Sequence, residues 1–116
     1  MLTLDDTKIY LYTQPTHMRK SIDTLCIMVS ETLHMNPVDG HLFIFRNRTG
    51  NKLKALYYKM NCFTLWYRRL EKGKFVFPKN LEGTIEMSQE HFRWLLASDK
   101  FSRLDAMQPN QYEKYC

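Results

Sequence analysis

Acidic residues are scarce where this sequence is most basic. From Arg46 to Lys79 ten cations (Arg46, Arg48, Lys52, Lys54, Lys59, Arg68, Arg69, Lys72, Lys74, Lys79) stand against one acid, Glu71, a segment charge of +9. The whole chain carries +5, so the remainder sums to −4. Metal-dependent nucleases and transposases need several carboxylates converging on divalent ions, and the central segment lacks them. No HExxH, nucleophile elbow or P-loop occurs, and the histidines at 17, 34, 41 and 91 are scattered. The expectation is therefore a non-enzymatic protein with no metal, no cofactor and no small-molecule substrate.

Other shortages narrow the class further. Three cysteines, Cys26, Cys62 and Cys116, lie far apart with no CxxC, so neither a disulfide scaffold nor a zinc module is expected. Cys26 reads as a small core residue and the other two as incidental thiols. Every apolar run is far shorter than the ~20 residues of a membrane helix. The first residues, MLTLDDTKIY, begin with acid and lack the apolar stretch of a signal peptide. A cytoplasmic protein without membrane contact is expected.

What is present is enough for a core. Of 116 residues, 44% are hydrophobic and 14% aromatic, which argues for one folded domain. Its expected extent is 1–107, with a polar and loose tail at 108–116. Lys8–Tyr12 reads as a strand. Thr16 is placed to cap a helix whose apolar residues Ile22, Leu25, Cys26, Val29 and Leu33 share one face; it should end near Met35, before Asn36-Pro37. His41–Phe45 is apolar on both faces and so central in a sheet. Asn47–Asn51 is a glycine-bearing turn, Lys52–Tyr58 a strand, and Lys59-Met60-Asn61 a second turn. Thr84–Met87 is one more short strand, and Ser88 caps a helix with Phe92, Leu95 and Leu96. Phe101 and Leu104 are placed to pack behind it. The class is α+β, a mostly antiparallel sheet of about five strands with two main helices packed on it, expected on one face.

The stretch FTLWYRRLEKGKFVFP (63–78) reads as a hairpin, Phe63–Leu70 returning as Phe75–Phe77 through a turn at Gly73. On a strand Trp66 and Arg68 share one face, Tyr67 and Arg69 the other. This split disfavours a one-sided stacking platform for bases and favours the aromatics as core. The basic block is either an electrostatic footprint for a polyanion or a solubilising face. THMRKS (16–21) puts Arg19 and Lys20 in the first helical turn, where cations oppose the dipole. The alternatives there are an anion site or neutralisation of Arg19 by Asp23 with Lys20 in water. Glu71 is read as the ion-pair partner of a basic neighbour.

Three blocks in order, THMRKSIDTL, GHLFIFRNRTGNKLKALYY and FTLWYRRLEKGKFVFP, resemble the small accessory protein (TnpB or Orf2-like) of IS-sixty-six-type insertion sequences. The resemblance covers roughly Lys8 to Leu96. Met18, Arg19 and Lys20 match the family's D-M-R-K, with His17 in place of the acid. Gly40, His41, Leu42, Phe43, Phe45, Arg46 and Gly50 match the second block. Leu65, Trp66, Tyr67, Arg68, Arg69, Leu70, Glu71 and Gly73 match L-W-Y-[KR]-R-L-E-x-G. The acid and glycine that the family often carries near Tyr58–Cys62 are missing, and Ser98 stands for a family glycine. The resemblance implies a transposition accessory factor without established enzymatic activity, encoded beside a separate transposase that holds the catalytic carboxylates. The implied partners are DNA, the transposase and other proteins of the same element. The candidate nucleic-acid contacts are Arg19, Lys20, Arg46, Arg48, Lys52, Lys54, Arg68, Arg69, Lys72 and Lys74. The alternative is a protein-interaction module that meets the transposase without touching DNA.

Overall fold

A computed structural model describes residues 7–78 and 82–97, and the backbone of 112–115. The elements are β1 (Ile9–Pro15), α1 (Ile22–Glu31), β2 (Leu42–Arg46), β3 (Lys52–Lys59), β4 (Cys62–Arg69), β5 (Thr84–Met87), α2 (Gln89–Leu96) and β6 (Tyr112–Tyr115). The strands form one sheet in the order β5-β1-β2-β3-β4-β6. β1 and β2 are parallel, joined through α1 as parallel neighbours require. The other pairings are antiparallel. The α+β class and the mostly antiparallel sheet are as expected.

The helices lie on opposite faces, not on one. Ile9, Leu11, Leu42, Ile44, Leu53 and Ala55 pack with Phe92 and Leu95 of α2. Phe43, Phe45, Leu56 and Leu65 pack with Ile22, Leu25 and Val29 of α1. The reason is in β2, whose residues 42–45 are all fully buried: a strand apolar on both faces needs a layer on each.

Helix α1 starts later than expected. Its N-cap is Ser21, not Thr16. The Thr16 N–H instead donates to the Arg46 carbonyl at 2.7 Å, extending the β1–β2 pairing past Pro15. Arg19 and Lys20 therefore sit in a loop ahead of the helix and escape the dipole cost. The helix stops at Glu31 and unwinds through His34, which is left-handed at φ 57. Ser88 caps α2 as expected, its hydroxyl accepting from the His91 N–H at 3.0 Å.

The hairpin expected within 63–78 is a correction. Phe75–Phe77 is not a strand. β4 already has β3 on one edge and β6 on the other, so no edge is left for a return strand. Phe75 instead donates its N–H to the Gly50 carbonyl at 2.8 Å and enters the α2-side core. β6 lies within the segment read as a polar, loose tail; Phe101, Leu104 and the 107/108 boundary lie outside the described residues. Cys62 is buried and disulfide-bonded, so it is not the incidental thiol expected.

The β3–β4 connection is a two-residue loop, because Lys59 faces Cys62 across it. Its residues Met60 and Asn61 have φ 53 and 61. Such loops need positive φ at both positions, which favours Asn and Gly and disfavours Met. Met60 is 89% exposed, so its side chain contributes little packing. Met60→Gly is expected to raise the unfolding free energy in urea by about 0.5–1 kcal/mol, since relief of left-handed strain outweighs glycine's extra chain entropy.

Candidate nucleic-acid interface

The topology gathers three basic segments at one end of the sheet. β1 and β2 leave the sheet together there, with Pro15 paired to Arg46. β3 enters and β4 leaves at the same end, with Lys52 opposite Arg69. The loop 16–21, the turn 47–51 and the segment 70–78 are thus neighbours. Backbone bonds tie the last two, Leu70 N–H to the Asn51 carbonyl and Phe75 N–H to the Gly50 carbonyl, each 2.8 Å, and the Thr16 N–H ties the first to the end of β2.

The turn itself is built by Asn47. Its side-chain oxygen accepts from the N–H groups of Gly50 (2.9 Å) and Lys52 (3.1 Å), and its amide donates to Asn51 Oδ1 at 2.8 Å. Gly50 takes φ +86 and is buried under Lys74 Cβ and Phe77, a conformation and a place that suit glycine. Arg48 and Thr49 are left exposed at the tip.

The ten candidate cations separate by what they touch. Arg46 is engaged: its Nε donates to the Thr13 carbonyl at 2.8 Å and its Nη1 to the Asn47 carbonyl at 3.3 Å, while its guanidinium lies 5.7 Å from the Phe77 ring centroid. Lys54 donates to the Lys20 carbonyl at 2.9 Å and lies 5.7 Å from the Tyr67 ring, pinning the 16–21 loop onto the sheet. Arg68 is 1% exposed beneath the α2 side, 5.4 Å from the Trp66 ring. These three hold the fold. Arg19, Arg48, Arg69, Lys72 and Lys74 are exposed, with Lys20 and Lys52 half-buried among them. Of the other cations in the basic block, Lys59 flanks the Met60–Asn61 loop at the far end of β3, and Lys79 lies outside the described residues.

Arg69 makes an ion pair with Glu71, Nη2 to Oε1 at 2.8 Å, with Nε 3.2 Å from the same oxygen. That hydrogen bond, with the Glu71 charge, raises the guanidinium pKa further. The Arg19–Asp23 pair is absent among the described residues, because Arg19 precedes the helix. Burial, then the nearby Asp23 charge, pushes the Cys26 thiol up, which makes it a poor nucleophile. No cluster of three or more His, Cys, Asp or Glu that could hold a metal occurs among the described residues. No helix among them is long and apolar enough to cross a membrane.

Trp66 and Tyr67 fall on opposite faces, Trp66 against Phe92 of α2 at 6.4 Å and Tyr67 beside Lys54. Burial of Arg68 was legible from register: it shares a face with Trp66 and lies opposite Leu53 in β3's apolar row. The role of Asn47 had only a general signal, an Asx residue opening a glycine turn.

The chain matches the family model described as IS66 Orf2 like protein over residues 7–106. It is similar to two Sinorhizobium fredii proteins. One, named uncharacterized protein y4hO, is 35% identical over 92 residues, 79% of this chain and 80% of that protein. The other, uncharacterized protein y4jC, is 32% identical over 97 residues, 84% and 83% of the two chains. No solved structure matches.

Structural and exposed arginines should respond differently to substitution. Lysine at position 46 cannot reach both the Thr13 and Asn47 carbonyls, so Arg46→Lys is expected to lower stability in urea by about 1–2 kcal/mol. Arg48→Ala, at an exposed tip, should shift it by less than about 0.5 kcal/mol.

Proposed function

The chain belongs to the IS66 Orf2-like family of insertion-sequence accessory proteins, and from that premise we propose that it holds DNA through the cationic end of its sheet. The observation that carries this is the convergence just described. Three segments distant in sequence meet at one end of the sheet and leave Arg19, Arg48, Arg69, Lys72 and Lys74 exposed. The only acid between Arg46 and Lys79 is Glu71. Phosphates bind such a surface by charge and counterion release, without base reading.

In this reading the protein performs no bond chemistry. It holds element DNA while the transposase, which carries the carboxylates, cuts and joins. Arg46 and Lys54 fix the spacing of the cations and do not themselves meet phosphate. Trp66 and Tyr67 fall on opposite faces of β4, so they make no one-sided platform for single-strand stacking.

A salt titration tests the proposal. Five phosphate contacts on a short duplex should give a slope of log affinity against log salt near −4.5, about 0.9 per contact. Arg48→Ala with Lys74→Ala should flatten that slope by about 2 and weaken binding to all duplex sequences alike. Absence of duplex affinity even at low salt would refute DNA binding and leave an acidic surface on the transposase as the partner of this end.

A further inference from the structure

We propose that Lys52 and Arg69 form a seat for one phosphate of the DNA backbone, in which the Glu71 carboxylate is a resident stand-in that DNA displaces. The inference rests on the DNA-binding reading above and names the contact within it.

Lys52 and Arg69 face each other directly across β3 and β4. The pair Lys59–Cys62 closes the two-residue loop and is therefore hydrogen-bonded. Opposite pairs alternate in class along an antiparallel ladder, so Lys52–Arg69, seven steps on, is non-hydrogen-bonded. Pairs of that class bring Cβ atoms to about 4.5–5.5 Å. Two other pairs of the same class show the closeness: the Tyr58 and Phe63 rings stand 4.7 Å apart, and Lys54 contacts Tyr67. Like charges directly opposite are destabilising. The arrangement is relieved by an anion between or beside them.

Glu71 supplies that anion in the free protein. One carboxylate oxygen accepts from both Nε and Nη2 of Arg69, the edge of the fork that a phosphate oxygen would take. The pair is exposed, 54% and 74% at the two side chains, so the contact is weak and open to competition. Among the described residues no carboxylate pairs with the Lys52 ammonium. A phosphate engages both cations, which Glu71 does not.

A double-mutant cycle on duplex affinity reads the competition. Glu71→Gln should tighten binding about two- to fivefold, the span of an exposed ion pair. In an Arg69→Ala background the same substitution should change affinity by less than about twofold, because the gain depends on the freed guanidinium. Lys52→Met added to Glu71→Gln should weaken binding about two- to fivefold, the span of one exposed ion pair. An equal gain from Glu71→Gln with and without Arg69 would reduce Glu71 to a general repulsive charge and overturn the seat while leaving DNA binding intact. An affinity unchanged by Lys52→Met would remove Lys52 and overturn the two-cation seat. If none of these proteins binds duplex, both this inference and the reading beneath it fall.

Discussion

The guanidinium of Arg46 stands where three parts of the chain meet, and the shape of the basic end depends on it. It bonds the Thr13 carbonyl near the end of β1 and the carbonyl that opens the β2–β3 turn, at Asn47, and it lies 5.7 Å from the ring centroid of Phe77 in the segment after β4. A planar fork can serve several acceptors while stacking; an ammonium cannot. Hydrogen bonds to a charged group contribute about 1.5–3 kcal/mol each when partly shielded from water. The carbonyl of the same residue receives the Thr16 N–H. One residue thus closes the sheet end through both main chain and side chain, and the exposed cations of neighbouring loops take their positions from it.

That closure also explains why the first helix is short. Thr16 is bound to the sheet, and the Lys20 carbonyl is held by Lys54. Residues 16–20 are committed to the sheet surface before any helical turn can form. The consequence is electrostatic: Arg19 and Lys20 lie beside other cations and not at the positive helix end. The helix then starts with Asp23 in its first turn, the sign that the dipole favours.

Much of the fold could be read from periodicity. The alternation in β2, β3 and β4, the helical spacing of Ile22, Leu25, Val29 and Leu33, and the Ser88 cap all appear in the structure as local patterns require. What failed was non-local. Phe75–Phe77 has strand composition, but whether a strand forms depends on a free edge, and β6 occupies the edge of β4. Thr16 has a cap's identity, but its N–H was claimed by Arg46, thirty residues on. The helices' placement on two faces was present in the doubly apolar β2, whose four buried residues need a layer on each side.

The basic end was legible as a charge count and not as a surface, and the adjacent arginines 68 and 69 show why. A strand turns successive side chains to opposite faces. Arg68 therefore points into the row of Leu53, Ala55 and Trp66 and is lost to solvent, while Arg69 points to the face of Lys52 and stays exposed. Two identical residues in one dipeptide do different work because of register alone. Arg46 and Arg48 part for another reason: one ends β2 and lies against Phe77, the other sits at the exposed tip of the turn that follows. A segment charge of +9 thus overstates the electrostatic footprint. Which cations this end presents to solvent follows from which the ladder leaves outside, so the strand register, more than composition, sets the electrostatics of this end.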